Sequence, residues 1–450
     1  GGNALQSKPL AAPTAPGERL GAVDILRGFA LVGILIFNID HLSLPSTIYL
    51  DPSSAGGFEG VNYWIWVFKY TFINQKFFTQ FAMLFGAGVV LMSRRFESRQ
   101  QPMKHWYYRR LLVLLGIGLA HAYLIWDGDI LVPYAICGLV LYPFRRVRPS
   151  RLALLGVALI IFAQVPMVGA GYGLKYIRDK AEQTQLAVDA GEEVRDTDHQ
   201  MLSLWEGIQV EIGVEGSRAA EEMQIIGHGS WWDIVRYRAP NVLSMHIAMM
   251  LLMLLWRISG LMLLGMALMK WGFLSGHRSR RFYGVTALFS YALGLPVSIY
   301  SGTSLMEQGF GLVSMFSMEA SIDAIGSVLV GMGHVSIVML LYNAGALHNL
   351  MQRLAALGRM ALTNYLMHSV IGVIVFYGYG FGLFGQFDRL TLLGIAAVII
   401  ALQLLLSPWW LARYRFGPAE WLWRSLTYGR RQPMRARLEP EPTPPAARPT

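Results

Sequence analysis

The sequence predicts an all-α integral membrane protein, a polytopic bundle of about ten transmembrane helices with an extracytoplasmic helical insert. Three observations carry that expectation. Apolar segments recur at 21–41, 72–92, 107–126, 129–144, 152–173, 241–272, 282–302, 321–342, 358–378 and 390–411. Most are near the length of about 20 residues that crosses a hydrocarbon core as helix. The loops between them alternate in charge sign. Hydrophobic residues make up 54% of the chain and charged residues only 15%, a balance that no soluble fold requires.

Residues 1–20 hold Lys8, several prolines and no apolar run, so they are expected to form a disordered cytoplasmic tail rather than a cleaved signal. Spans one to five occupy 21–173. Their basic loops hold Arg94, Arg95, Arg99 and Lys104, then Arg145, Arg146, Arg148 and Arg151. Lysine and arginine collect in cytoplasmic loops, which places these inside. Asp127 and Asp129 mark an outer turn, and so does the acidic stretch 179–222. Residues 174–240 are the only long hydrophilic region. The periodicity over 176–188 and 201–214 predicts amphipathic helices, closed by Trp231 and Trp232 and lying against the outer membrane face. Spans six to ten occupy 241–428, with Lys270, Arg278, Arg280 and Arg281 on a cytoplasmic loop and Glu307 and Glu319 outside. Residues 429–450, rich in proline and arginine, are expected to be a second disordered cytoplasmic tail.

The segment 241–272 is too long for one crossing. At 1.5 Å per residue it would run about 48 Å against a core of about 30 Å. Either its start protrudes outward or Arg257 faces a wet cavity. No internal repeat is visible.

The net charge of +10 follows from the short cytoplasmic loops and the tail, so nucleic acid is not an expected partner. Cys137 is the only cysteine and lies within an apolar segment, which excludes an intrachain disulfide and cysteine-ligated zinc. No metal is expected. There is no Gly-Lys-Ser/Thr phosphate loop, no His-Glu-x-x-His and no Gly-x-Ser-x-Gly elbow.

Polar groups inside spans are where function is expected, because an ionisable group in hydrocarbon is costly without a partner or water. His121 stands about one and a half turns before Asp127 and Asp129 at the outer end of the third span. A histidine oriented by a carboxylate is a candidate general base. The same carboxylates also suit a helix cap. Asp24 and Arg27 share a helix face at i, i+3, as a salt bridge does. Asn38, Asp40 and His41 end the first span, beside Asn74, Gln75 and Lys76 at the same membrane face. Lys76 is expected either to neutralise Asp127, Asp129 or an anionic substrate group, or to snorkel to the interface. Glu319, Asp323 and His334 extend the polar set along the eighth span.

The segments 23–31, with Asp24, Arg27 and Gly28, 76–88, 121–131, 358–366, with Gly358, Arg359 and Asn364, and 417–424, with Gly417, Pro418 and Glu420, together resemble the YeiB family of bacterial inner-membrane proteins. The resemblance covers about 17–430. It implies membership of a wider transmembrane acyltransferase superfamily that includes the acyltransferase-3 proteins and the lysosomal heparan glucosaminide acetyltransferases. Those proteins pass acyl groups from cytoplasmic acyl-CoA to acceptors across the membrane. Acyltransferase-3 proteins carry histidine fourteen residues after the aspartate of their Asp-x-x-Arg-Gly motif, where this chain has Asn38. Asparagine cannot serve as a base at neutral pH. Arg109 and Arg110 resemble the arginine motif of that family's third span, although Val113 replaces its second arginine.

The resemblance implies an O- or N-acyltransferase with acyl-CoA as donor. Arg109, Arg110 and Arg27 would bind the coenzyme phosphates bidentately. His121, oriented by Asp127 or Asp129, would deprotonate a hydroxyl or amine, and Lys76 or Asn364 would stabilise the oxyanion. The alternative is a transporter or flippase that uses Lys76, His121, Asp127 and Asp129 without covalent chemistry. The expected partners are the lipid bilayer and an extracytoplasmic acceptor of unknown identity, and a homo-oligomer is compatible with both readings. The expected localisation is the bacterial inner membrane, with both termini cytoplasmic. A reporter fused after Arg148 should accordingly read cytoplasmic and one placed at 189–198 extracytoplasmic; both on one side would refute this topology.

Overall fold

A computed structural model describes residues 21–212 and 217–435. The tail expected at 1–20 and most of that expected at 429–450 lie outside the described residues.

The described chain is helical. In order, α1 is Gly21–Ser43, α2 Val61–Phe68, α3 Lys76–Ser98, α4 Lys104–Leu124, α5 Leu131–Leu141 and α6 Pro149–Phe162. They are followed by α7 Val165–Asp189, α8 Asp196–Ile212, α9 Ser217–His228, α10 Trp231–Ser244, α11 Leu255–Lys270 and α12 Arg280–Glu307. The last six are α13 Leu312–Met315, α14 Met318–Ala344, α15 His348–Arg359, α16 Ala361–Phe376, α17 Arg389–Arg413 and α18 Pro418–Tyr428. Among the described residues, seven helices are long and apolar enough to cross a membrane, and eight if the bent pair α15–α16 counts as one span. The chain is therefore a polytopic membrane protein. The expected third and fourth spans are not among these: α4 begins with Lys104 and carries Arg109 and Arg110, and α5 has only 11 residues before a tighter turn at Tyr142–Arg146.

The overlong sixth segment is part of a still longer helix. Residues Trp231–Lys270 run on as 40 residues, through a π-helical stretch at Met245–Leu254. Ser230 caps the start by accepting from the Asp233 N–H, and the Asp233 carboxylate returns a bond to the Ser230 N–H, which satisfies two otherwise orphaned donors. The helix starts at Trp231, ahead of the apolar segment, and Arg257 within it is buried. Most of the described residues of the hydrophilic region 174–240 are helical too, with α8 packed along α7.

Glycine decides which helices touch. α1 crosses α15 where Gly28 meets the Leu354 carbonyl and Gly358 meets the Asp24 carbonyl, so neither position has room for a Cβ. α3 crosses α11 in the same reciprocal way, Gly86 on Met262 and Gly265 on Met83. Apolar side chains gain little by leaving lipid for a protein neighbour, so such close backbone approach is what drives helix association in a membrane. Two cores result. One joins the inner parts of α1, α3, α4, α5, α11 and α14; the other gathers Leu35, Ile39, Leu42, Trp126, Phe376 and Leu392 toward the opposite end of α1. At the start of α17, Asp388 accepts from the Thr391 N–H and the Asn62 amide, and these bonds hold its carboxyl below the usual range.

Residues 430–435 dock onto the fold. The Arg415 N–H donates to the Met434 carbonyl at 2.9 Å, Arg435 bridges to Tyr414, and Gln432 is buried.

Replacing Gly28 with alanine should force α1 from α15 and cost about 1–3 kcal/mol, read as a lower unfolding midpoint in detergent. Gly116 has no neighbour within 4 Å of a Cβ, so Gly116→Ala should be neutral or slightly stabilising. Equal midpoints for the two variants would refute the crossing.

Candidate functional site

α4 delivers His121 to a buried position near its end, where the side chain is 1% exposed. Its Nδ1 lies 2.7 Å from Asp129 Oδ1 and its Nε2 2.9 Å from Ser369 Oγ. With an ionised carboxylate and a neutral imidazole, this geometry puts the ring proton on Nδ1 and lets Nε2 accept from the Ser369 hydroxyl. The second Asp129 oxygen accepts from the Val132 N–H at 2.7 Å, which caps the start of α5. The two uses foreseen for this carboxylate, cap and histidine partner, are thus served by its two oxygens at once. Tyr365, one turn before Ser369 on α16, accepts from the Ile130 N–H at 3.1 Å and donates to the Gly128 carbonyl at 3.4 Å. It pins the loop that presents Asp129. Trp126 packs edge-on beside His121 and, with the second core, keeps water from the group.

The remaining sequence-predicted residues fall elsewhere. Asp127 does not orient His121; it lies 3.5 Å from Arg238, which also donates to the Tyr377 hydroxyl. Lys76 neutralises neither Asp127 nor Asp129. It is fully buried and pairs with Asp323 at 3.0 Å, donating as well to the Tyr70 carbonyl, while Ser298 and Ser327 donate to the same carboxylate. Burial without snorkelling is possible because the opposite charge is already in place. Asn364 donates to the Leu357 carbonyl and to Ser407, away from His121. His41 stacks on Tyr49 at 4.1 Å, and neighbouring Asp40 pairs with Lys69 at 2.7 Å.

At the other end of α4, Arg110 lies over the Trp423 ring at 3.9 Å and Arg109 donates to the Leu426 carbonyl, both on α18. Arg27 bonds Asp24 at 3.2 Å, and Arg27 and Arg95 are close enough to Arg110 to repel it electrostatically. Arg110 and His121 are eleven residues apart, about 16 Å along the helix. A separate cleft of about 470 Å³ is lined by Arg94, Arg145, Arg146 and Lys270 together with Glu97. Among the described residues no group of three or more His, Cys, Asp or Glu side chains could hold a metal ion.

The orientation of α16 depends on Glu420. Its carboxylate accepts from the Leu362 and Thr363 N–H groups and from the Thr363 hydroxyl. Burial pushes this carboxyl above the usual range, and the Thr363 and Leu362 bonds oppose the shift.

The chain is 31% identical over 418 residues to YeiB of Escherichia coli, across 91% of this chain and 96% of the relative. It belongs to the YeiB family. Residues 268–430 match the family described as "Protein of unknown function (DUF418)". It is also 29% identical over 435 residues to YxaH of Bacillus subtilis, across 94% of this chain and 97% of that one. A 39.9 kDa protein of Bacillus acidopullulyticus is 26% identical over 427 residues, across 95% of this chain and 99% of the relative. No solved structure matches.

Sequence reasoning missed Ser369, Tyr365 and Glu420 as parts of the site. Tyr365 and Ser369 stand at i, i+4 on α16, beside the equally buried pair Asn364 and His368, a polar stripe that the filter used for His121 would have flagged. Lys76→Met should leave Asp323 buried without its close cation and cost about 3–5 kcal/mol. Adding Asp323→Asn should recover most of that loss in thermal unfolding; no recovery would mean that the pair is not coupled.

Proposed function

We propose that the protein is a membrane acyltransferase, moving an acyl group from cytoplasmic acyl-CoA to an extracytoplasmic hydroxyl or amine. The observation that carries this reading is the buried Asp129–His121–Ser369 chain of hydrogen bonds, with the imidazole in the tautomer that a general base needs. Asp129 is a positioning residue that fixes the ring and stabilises the imidazolium once formed. The arginines at the opposite end of α4 support a coenzyme site there. Arg109, Arg110 and Arg27 would hold phosphates while the pantetheine arm follows α4 toward His121, a span of about 16 Å. Since Lys76 and Asn364 are engaged elsewhere, neither serves the oxyanion in this reading.

The proposal includes a topology. α4, and α5 with the turn after it, complete ten crossings as the two arms of a hairpin whose tip holds Asp127 and Asp129 outside. Residues 174–240 lie outside, both termini lie inside, and the membrane is the bacterial inner one. The family resemblance to the transmembrane acyltransferase superfamily supports the same direction of transfer.

A second reading, transport of a small or lipid-linked solute without covalent chemistry, draws on the buried ionic group Lys76, Asp323 and Arg257. Ionisable groups so placed also mark ion and solute pathways.

Inverted inner-membrane vesicles distinguish the two. They expose the cytoplasmic face to added acetyl-, octanoyl- or palmitoyl-CoA and retain native acceptors inside. His121→Ala should lower protein-dependent coenzyme A release by about a hundredfold or more, whereas Asp127→Asn should change it only several-fold. Matched expression with no loss in His121→Ala would remove the transfer reading and leave transport.

A further inference from the structure

Ser369 is not explained by a base-only mechanism. A general base needs its lone pair free for the acceptor, yet His121 Nε2 is already occupied by a protein hydroxyl at 2.9 Å. Ser369 and the Asp129 side chain are fully buried and His121 nearly so. A helix interior offers serine an easier partner, since its hydroxyl can return to the carbonyl one turn back. Ser369 instead reaches across to another helix.

The order carboxylate, imidazole, hydroxyl, with the imidazole proton on the carboxylate side, is the arrangement that activates a serine nucleophile on unrelated folds. We propose that Ser369 is a covalent relay, carrying the acyl group as an ester between donor and acceptor. The inference rests on the acyltransferase reading and specifies its path as two displacements rather than one.

The steps balance. In the first, His121 Nε2 takes the Ser369 proton as Oγ attacks the thioester carbonyl. The carbon–sulfur bond breaks, and the imidazolium returns the proton to the departing thiolate, giving coenzyme A and an acyl ester on Ser369. In the second, Nε2 takes a proton from the acceptor hydroxyl or amine as it attacks the ester carbonyl. The carbon–oxygen bond to Oγ breaks, and the proton restores the Ser369 hydroxyl. Nothing is oxidised or reduced, and no further reactant is needed.

A relay also resolves a problem of geometry. The donor comes from the cytoplasm and the acceptor from outside, and a single displacement requires both in one closed site together. An ester on Ser369 lets them use the same imidazole in turn. Tyr365 also ties α16 to the loop after α4, so an acyl arm enters by breaking the His121–Ser369 bond and displacing Tyr365 while His121 keeps Asp129.

A double displacement predicts chemistry without any acceptor. Full-length purified protein in nanodiscs would be incubated with acetyl-, octanoyl- or palmitoyl-CoA, with coenzyme A release followed and tryptic peptides weighed. The parent should release about one coenzyme A per protein in a burst and gain one acyl group on the peptide containing Ser369. Ser369→Ala and His121→Ala should show neither. Ser369→Cys, nearly isosteric, should be acylated as a thioester that neutral hydroxylamine removes. The same variants would be run in the inverted vesicles. Release retained by Ser369→Ala but lost in His121→Ala would overturn the relay and leave a direct acyltransferase. An acyl group found on another residue would also overturn it. No release from the parent with any donor, in nanodiscs or vesicles, would overturn the acyltransferase reading and the relay with it.

Discussion

The carboxylate of Glu420 holds the turn on which the site depends. α15 and α16 meet at an angle of 82°, which leaves the first N–H groups of α16 without helical partners in a region poor in water. Glu420 accepts from two of them and from the Thr363 hydroxyl. Its negative charge sits at the positive end of the α16 dipole. The partnership runs both ways, since Thr363 Oγ1 accepts in turn from the Ala419 N–H at the start of α18. α18 then carries Trp423 to Arg110 and the α4 backbone. One carboxylate therefore sets the direction of the helix bearing Ser369 and Tyr365, and one amphipathic helix braces both that helix and the one bearing His121.

The chain separates its buried charges into two kinds. Lys76 with Asp323 and Lys69 with Asp40 are ion pairs in which each charge meets its opposite directly. A pair of this type neutralises itself and fixes the register of neighbouring helices. The His121 group differs because an imidazole stands between a carboxylate and a hydroxyl, so each member is satisfied by a hydrogen bond to the next rather than by a lysine. The surrounding core of Trp126, Leu42 and Phe376 strengthens each of those bonds by excluding solvent.

Much of the fold was legible because the bilayer allows few solutions: every backbone group must be satisfied internally, so apolar stretches must be helices. Hydropathy reads those helices directly, and the overlong helix around Arg257 was visible as a segment longer than one crossing. α4 and α5, expected as spans, differ from the other helices because Arg109 and Arg110 lie inside one and the other is short. Within the site, the His121–Asp129 pair was legible because both belong to one hairpin, eight residues apart. The choice between Asp127 and Asp129 was not, since both sit at the end of α4 and only the turn decides which points inward. Ser369 lies 248 residues from His121 and the Asp323 partner of Lys76 lies 247 residues away, so neither contact leaves a trace in local spacing. The glycines at 28 and 358, recognisable as parts of family motifs, both serve the crossing of α1 and α15, one against Leu354 and the other against Asp24. Part of such a motif is architecture, and its presence alone does not carry chemistry.

That distinction bears on Asn38, which stands in α1 where the acyltransferase-3 motif has a histidine. The imidazole of His121 and the carboxylate of Asp129 belong instead to a single hairpin, which Gly118 closes tightly against Leu131 and Val132. Parting Ser369 from His121 would divide the group at Nε2 and leave the Nδ1 bond to Asp129, which lies within the hairpin, intact. In the proposed reaction, a base that keeps its orienting carboxylate while Ser369 moves away can meet a donor and an acceptor in turn.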